Sequence, residues 1–398
     1  MIIPVANRLN GVKEYYFVRK LEEIARLNKE GKKIISFGIG SPDLPPSEAT
    51  IHALFDTAKT SNAHGYQPYR GVPELREAIA KFYSNTYGVD VDASTQVLPL
   101  MGSKEGILHL SMAFLNPGDE VLVPNPGYPT YSSNANIVGA KIRYYNLSEQ
   151  HNWHADLEKL AEEDLSNVKI MWVNYPHMPT GAEADPTKLL DLVRFAKKHH
   201  ILLAFDNPYS LVLNKKKPFS ILSLEGAMDV AVELNSLSKS HNMAGWRIGM
   251  MLGKKEYLDA VLTVKSNIDS GMFLGLQKAA IQAFDNSEEW HAERNKQYAE
   301  RRVIIEEILT LLDFEFDPKQ VGLFLWAKPK DAKAIADIPA YVDKLLYEAS
   351  VFFTPGEVFG SNGQGYMRAS LCVSKEQCYE ALGRIKLWKE ALKLKKVY

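Results

Sequence analysis

The sequence is short of cysteine, of net charge and of long apolar runs, and each shortage excludes a class of protein. The two cysteines among 398 residues, Cys372 and Cys378, form no Cys-x-x-Cys pair, so they build neither a disulfide framework nor a zinc ribbon. Lys and Arg total 47 against 48 Asp and Glu, which leaves no basic excess to hold nucleic acid or an anionic membrane. No run of about 18 apolar residues could cross a bilayer. We expect a cytoplasmic protein that binds neither nucleic acid nor membrane.

What is present is an alternation of apolar, strand-like runs with helical patterns. An N-terminal helix is predicted over 12–30, where apolar residues recur at helical spacing. Strands are predicted over 33–37, 96–100, 120–123, 141–145, 168–173, 201–205 and 229–234, and the gaps between them can hold crossover helices. This order is typical of an α/β protein with a parallel sheet covered by helices.

The pattern changes beyond about residue 287. A long charged helix over 288–312, strands near 322–327 and 365–371 and a terminal helix from Ser374 predict a second, smaller α+β domain. We therefore divide the chain into an N-terminal arm with part of the small domain (1–46), a large domain (47–287) and a small C-terminal domain (288–398). No Gly/Ser-rich linker separates them, which predicts domains that pack against each other.

Polar side chains follow several of the predicted strands, at the edge of a parallel sheet where ligands bind. After strand 96–100, Gly102, Ser103 and Lys104 open a helix whose N–H groups can bind an anion. After strand 201–205 come Asp206 and Tyr209. We expect these two groups to face one site.

Two further segments complete the candidate site. Asn174 opens a proline-rich turn after strand 168–173, whereas Ser236 and Lys239 follow strand 229–234, with Arg247 eight residues after the lysine. An anion cradle, a clamping cation, a lysine able to form an imine, an aspartate and a tyrosine together fit a phosphorylated aldehyde cofactor with a basic ring nitrogen.

Each residue type then has a predicted role. Lys239 would form a Schiff base and afterwards act as the general acid–base on the substrate carbon. Arg247, Ser236 and the helix-opening turn would bind the phosphate. Asp206 would keep the ring nitrogen protonated as an electron sink, and Tyr209 could donate a hydrogen bond to the ring hydroxyl.

These motifs resemble those of the fold type I, class I/II aminotransferases, which depend on pyridoxal 5′-phosphate, and the resemblance covers nearly the whole chain. Its most specific part is SLSKSHNMAGWRIG at 236–249, which matches the family's lysine-attachment pattern. Asp206 and Tyr209 match Asp-x-x-Tyr, and NPGYP at 125–129 matches the segment whose aromatic ring, here Tyr128, stacks on the cofactor. The resemblance implies a large domain with a mostly parallel seven-stranded sheet between helices, plus a smaller α+β domain.

The same resemblance implies how substrate and a second subunit take part. Tyr66 matches a tyrosine that reaches the phosphate of the neighbouring subunit, which implies a homodimer. Arg368 matches an arginine that grips the substrate α-carboxylate, with Gly40 beside it and Asn174 as a further substrate contact. The implied activity is amino-group transfer between an L-amino acid and a 2-oxo acid. The stretch 265–271 most resembles LL-diaminopimelate aminotransferases, and an aspartate or glutamate enzyme is the other candidate type.

One position departs from the family pattern. The family usually has Asn-Pro-Asn-Asn-Pro-Thr-Gly, in which the asparagine before the second proline donates to the ring oxygen of the cofactor. Here Met178 stands at that position, next to His177, and a thioether cannot donate a hydrogen bond.

Other functions are weighed against this one. A β-eliminating lyase of the same fold would keep the same cofactor-binding residues. A cofactor-sensing domain of a transcription regulator would need a DNA-binding module, but only 37 residues precede Gly38 and they contain no helix-turn-helix. A dinucleotide site is disfavoured because Asp43 stands where Gly38-x-Gly40-x-x-Gly needs its third glycine. We expect no metal site, because the pair His199 and His200 has no carboxylate at ligand spacing.

Overall fold

The computed structural model describes residues 3–9 and 16–395, so the first part of the helix predicted over 12–30 lies outside the described residues. The helices of the described chain are α1 (Tyr16–Lys29), α2 (Glu48–Ala58), α3 (Pro73–Tyr87), α4 (Ser103–Phe114), α5 (Pro129–Val138), α6 (Leu157–Ala161), α7 (Pro186–His199), α8 (Ala227–Val230), α9 (Leu237–Ser240), α10 (Lys255–Ser266), α11 (Leu274–Phe284), α12 (Glu288–Leu311), α13 (Ile338–Lys344) and α14 (Lys375–Lys395). The strands are β1 (Ile35–Ser36), β2 (Val97–Leu100), β3 (Glu120–Asn125), β4 (Lys141–Asn146), β5 (Val168–Asn174), β6 (Leu202–Asp206), β7 (Ala231–Ser236), β8 (Gly249–Gly253), β9 (Phe314–Phe316), β10 (Phe324–Pro329), β11 (Val351–Phe352), β12 (Thr354–Pro355) and β13 (Met367–Ser370).

Seven strands form one large sheet in the order β2-β8-β7-β6-β5-β3-β4. Strands β3 to β7 pair in parallel, and β8 runs antiparallel between β2 and β7. The expected α/β class and the mostly parallel seven-stranded sheet are therefore confirmed.

Two details of the sheet differ from the sequence expectation. Strand β8 was not predicted, because five residues with a glycine at each end show no clear strand period. The strand predicted over 229–234 is wrong at its start, since Gly226, with φ of +75°, leads into the short helix α8 and the strand begins at Ala231. Short apolar runs do not distinguish a helix from a strand by periodicity alone.

Both faces of the sheet are buried, which explains why its strands are nearly continuous apolar runs. On β6, Leu203 and Phe205 pack into the core on one face, whereas Leu202 and Ala204 pack into the core on the other. This alternation follows from the two-residue period of a strand. The helices on each side shield the sheet from water, so a polar side chain within it needs buried partners, whereas the strand ends can meet a ligand.

A second, four-stranded antiparallel sheet has the order β12-β13-β10-β9. Strand β1 from the N-terminal part pairs in parallel with β11, so the two ends of the chain share one core. Strands β9, β11 and β12 are two or three residues long and have no recognisable sequence pattern. The proposed domain limits stay a prediction. Among residues 3–9 and 16–395, no helix combines the length and apolar character needed to cross a bilayer.

A buried carboxyl group stabilises the centre of the large sheet. Glu233 on β7 is fully buried and accepts hydrogen bonds from the Tyr83 hydroxyl (2.9 Å), the Asn207 amide (3.0 Å), the Ser220 hydroxyl (2.6 Å) and the Ile221 backbone N–H (3.0 Å). Burial raises the pKa of Glu233 to about 7. The group joins α3 and the segment before α8 to the strand that leads to Lys239.

We predict that Glu233→Leu lowers the free energy of unfolding by about 3 kcal/mol or more, because it leaves four buried donors without an acceptor. Glu233→Gln, which keeps one carbonyl oxygen, should cost less. Urea unfolding of both variants measures the effect, with the exposed Glu77→Leu on α3 as a control expected to change stability by less than about 0.5 kcal/mol. An equal loss of unfolding free energy in Glu233→Leu and Glu233→Gln would contradict the proposed role of Glu233 as an acceptor.

Candidate active site

A cavity of about 490 Å³ opens at the carboxyl ends of the large-sheet strands. Most of the residues singled out from the sequence line it, namely Gly40, Ser103, Lys104, Tyr128, Asn174, Asp206, Tyr209, Ser236, Lys239, Arg247 and Arg368. Gly102 lies directly behind the lining, whereas Tyr66 lies outside it. The structure therefore brings together residues separated by more than 300 positions in sequence.

Lys239 enters the cavity from α9, which begins directly after β7. Its helix is capped by Ser236, whose hydroxyl accepts a hydrogen bond from the Ser238 N–H at 3.1 Å. The Lys239 ammonium donates a hydrogen bond to the backbone carbonyl of Gly40. Burial lowers the pKa of Lys239, and the nearby guanidinium groups of the cavity act in the same direction. A lowered pKa favours the neutral amine, which is the nucleophilic form.

Asp206 lies at the base of the cavity with only one of its two oxygens satisfied. The Tyr131 hydroxyl donates to Oδ2 at 2.7 Å, whereas Oδ1 is buried and has no hydrogen-bond partner among the described residues. Burial raises the pKa of Asp206 to about 6, against the opposing effects of Tyr131 and Lys239. A buried acceptor without a partner indicates a position where a ligand donor belongs.

A candidate anion site lies where α4 begins. Gly102 has φ of +84°, and the first N–H groups of a helix have no intrahelical partner. The exposed Arg247 side chain lies so close that a Cβ atom on Gly102 would be 2.1 Å from its Nη2. Arg247 donates to the Ala244 carbonyl at 2.8 Å and contacts the Ser238 hydroxyl at 3.5 Å. Desolvation, followed by the charge of Arg247, lowers the pKa of Lys104.

Arg368 on β13 is buried on the opposite side of the cavity. Its guanidinium carbon lies 4.1 Å from the ring centroid of Phe324 and 4.6 Å from that of Phe359. Its Nη2 donates to the Gly38 carbonyl at 2.7 Å. Gly40 lies against the same Phe324 ring, and a Cβ at Gly40 would be 2.2 Å from the ring. Two aromatic rings thus lie within cation–π distance of the guanidinium.

Met178 and Asn174 belong to the turn after β5. The Met178 sulfur lies 3.4 Å from Nη1 of Arg368, so this side chain contacts the carboxylate-binding candidate. The Asn174 amide donates to the Asp206 carbonyl at 2.6 Å, and its oxygen accepts from the Met178 N–H at 2.8 Å. Asn174 therefore holds the turn, and its proposed contact with substrate stays a prediction. His177 lies outside the cavity lining and contacts the Thr180 hydroxyl at 2.8 Å. Burial lowers the pKa of His177 to about 3.

Residues 32–385 match the family model described as aminotransferase class I and II. The chain belongs to this family. It is similar to an LL-diaminopimelate aminotransferase of Dehalococcoides mccartyi strain CBDB1, with 37% identity over 390 residues covering 98% of this chain and 100% of the relative. The corresponding enzyme of Maridesulfovibrio salexigens is 39% identical over 383 residues, covering 96% and 98% of the two chains.

Solved structures agree with this assignment. Substrate-bound BacF from Bacillus subtilis has a TM-score of 0.92 at 34% identity, covering 97% of this chain and 98% of that chain. Aspartate aminotransferase from Thermus thermophilus with maleate has a TM-score of 0.89 at 27% identity, covering 97% and 100%. The predicted family, its fold and its aminotransferase class are therefore confirmed.

Two aminotransferase site residues were missed in the sequence. Tyr131 donates to Asp206 and lies one helical turn after Tyr128, and their rings meet edge to face with centroids 5.5 Å apart. Ser238 lines the cavity and contacts Arg247. The i, i+3 spacing of the two tyrosines after the NPG sequence at 125–127, and the second serine beside Lys239, were available signals.

We predict that Gly102→Ala weakens the binding of inorganic phosphate to this protein by about tenfold or more, which corresponds to about 1.4 kcal/mol. A Cβ at this left-handed position would collide with Arg247 and strain the turn. Isothermal titration with phosphate measures the change. Gly118→Ala, also left-handed but with open space around its Cβ position, is the matched control and should bind phosphate as the unmodified protein does.

Proposed function

We propose that this aminotransferase uses pyridoxal 5′-phosphate to move an amino group between an L-amino acid and a 2-oxo acid. The observation that carries the proposal is the buried Oδ1 of Asp206, which lacks a partner at the base of a cavity that also contains Lys239. A protonated ring nitrogen would satisfy that oxygen. When bound, the cofactor supplies an electron sink for the reacting carbon.

The residues of the cavity fit the aldehyde, the ring and the phosphate of pyridoxal phosphate. Lys239 would hold the aldehyde, and Tyr128 would stack on the ring. Tyr209 remains a donor because burial raises the pKa of its hydroxyl, so it can donate to the ring oxygen. The phosphate would be bound by Arg247, Ser236 and the turn formed by Gly102, Ser103 and Lys104. Because Gly102 has no side chain, the space beside Arg247 stays open for the phosphate.

The protein residues also account for the handling of substrate. Arg368, whose guanidinium lies beside the rings of Phe324 and Phe359, presents a planar pair of donors suited to the α-carboxylate. Gly40 keeps backbone rather than side chain beside Lys239. Lys239, with its lowered pKa, can remove the proton from the substrate Cα as a general base. It would then deliver that proton, as a general acid, to the carbon of the cofactor that carried the aldehyde.

The amino donor is proposed from the relatives. Several of them at 35 to 39% identity are LL-diaminopimelate aminotransferases, which supports LL-diaminopimelate as the first donor to test. Aspartate and glutamate follow, in line with the structural similarity to an aspartate aminotransferase. Mixing the yellow protein with single amino acids and following the loss of visible absorbance ranks the donors. Release of pyruvate and ammonia without an acceptor acid would favour a β-eliminating lyase instead.

We also propose a homodimer. Phe55 on α2, Tyr66 and Tyr69 in the loop before α3, and Ile268 and Phe273 after α10 are exposed apolar side chains, with Tyr66 91% exposed. Helix α2 packs against α11, which begins directly after Phe273, and Gly271 packs against Gln67, so these side chains lie on neighbouring elements. A group of large exposed apolar side chains on neighbouring elements indicates an interaction surface. Phe55→Asp should shift sedimentation from dimer towards monomer, whereas Leu387→Asp on α14, also exposed, should not. A monomeric unmodified protein would contradict the proposal.

We predict that Lys239→Ala abolishes covalent attachment of pyridoxal phosphate and all transamination, because the reacting amine is lost. Borohydride reduction of the unmodified protein followed by peptide mapping should place the label on Lys239. Lys278→Ala, an exposed lysine, should retain both properties. A label on Lys104 or Lys265 would overturn the assignment.

We predict that Arg368→Leu raises the KM of every amino donor alike by roughly 30- to 150-fold, because a charge-assisted paired contact is worth about 2 to 3 kcal/mol. Arg368→Lys, which keeps the charge but not the paired geometry, should lose less. Steady-state kinetics with alanine, glutamate and LL-diaminopimelate measures the pattern. If only dicarboxylic donors were affected, Arg368 would contact the substrate side chain instead.

A further inference from the structure

A buried cluster of charged residues, formed by Glu105, Lys265 and Asp269, lies next to the anion site but outside the cavity lining. The side chains of Lys265 and Asp269 are only 3% and 6% exposed, and that of Glu105 is 13% exposed. Removing three charged groups from water is costly, and an apolar replacement is often as stable. Stability alone therefore does not explain why these three charged residues are buried together.

The first contact of the cluster is with the anion site. Oε2 of Glu105 accepts a hydrogen bond from the backbone N–H of Met101 at 2.6 Å. This bond orients the Leu100–Met101 peptide, which directly precedes Gly102 at the N-cap of α4, and so holds the start of the helix whose first N–H groups would face an anion. Burial raises the pKa of Glu105. The other oxygen of Glu105 lies 3.9 Å from the Lys265 ammonium.

The second contact leads to the loop that presents Tyr66. Lys265 forms an ion pair with Asp269, one turn later, and Oδ1 of Asp269 accepts from the Gly271 N–H at 3.1 Å. Gly271 has φ of +82° and packs against the loop so closely that a Cβ would lie 2.4 Å from the Gln67 carbonyl. Gln67 is the residue next to Tyr66. One chain of contacts therefore runs from the anion site to the loop.

We propose that Glu105, Lys265 and Asp269 are positioning residues, which hold the anion-binding start of α4 and the Tyr66 loop in one fixed arrangement. The inference rests on the proposed function, because the anion in question is the phosphate of pyridoxal phosphate. Tight binding of the phosphate then depends on a cluster that touches neither cofactor nor substrate. In the proposed dimer, the same cluster ties the phosphate site of one subunit to the tyrosine that reaches the other.

The test compares pyridoxal phosphate with pyridoxal, which has the same aldehyde and ring but no phosphate. We expect Asp269→Asn to weaken the binding of pyridoxal phosphate by about tenfold, while the dissociation constant of pyridoxal changes less than twofold. Glu105→Leu should act in the same direction, and Glu105→Gln, which retains an oxygen acceptor for the Met101 N–H, should lose less. The control is Lys278→Met, which breaks an exposed ion pair with Glu74 and should change neither constant.

Each outcome either supports or contradicts the positioning role of the cluster. Unchanged pyridoxal phosphate binding in both Asp269→Asn and Glu105→Leu would overturn the inference, and so would an equal loss for both ligands, since that indicates general loosening of the site. If Asp269→Asn does not fold, the two Glu105 variants carry the test. If Tyr66→Phe weakens pyridoxal phosphate binding as strongly in Asp269→Asn as in the unmodified background, the link to the loop is absent. Failure of the unmodified protein to bind pyridoxal phosphate would instead overturn the proposed function.

Discussion

Asp206 carries a carboxyl group into the protein interior, where the described residues give a hydrogen bond to only one of its oxygens. Taking such a group out of water is unfavourable unless a proton, a cation or a set of donors compensates. The raised pKa of Asp206 reflects this cost, and a positively charged ring nitrogen would reverse it. Lys239 follows β7, which pairs with β6, whereas the start of α4 follows β2, three strands away from β6 in the sheet. The cavity at the strand ends brings both of them together with Asp206.

The close approach of the backbone to its neighbours at three glycines is the second constraint on the site. At Gly102, Gly40 and Gly271 the backbone approaches a guanidinium, an aromatic ring and a neighbouring loop more closely than any Cβ allows. Each approach brings a backbone group or a charged group to the position where a ligand or a second subunit would meet it. These glycines are therefore part of the binding geometry rather than flexible connections.

The contacts of Arg368 link the two parts of the chain across the cavity. It is carried by the small antiparallel sheet, yet it donates to Gly38 near the N-terminus and touches Met178 after a strand of the large sheet. The methionine sulfur is only a weak acceptor for Nη1, so a carboxylate would compete successfully for that donor while Nη2 donates to the Gly38 carbonyl. Met178, which stands where the family pattern has asparagine, thus contacts the side of the cavity that Arg368 lines.

The sequence alone was enough for the family, the fold class and most of the large sheet. Parallel strands buried on both faces are continuous apolar runs, and the motif around Lys239 depends on local spacing. Both features can therefore be recognised in the amino-acid sequence alone. Strand β8 and the start of β7 were missed or misplaced because runs of four to six residues carry too little period to separate helix from strand. Only the tertiary structure decided that Tyr131 donates to Asp206, that the rings of Phe324 and Phe359 lie beside Arg368, and that Glu105 meets Lys265. Apart from Phe359, these partners lie far apart in the chain, and their meeting is set by how helices and strands pack, which no local pattern of residues encodes.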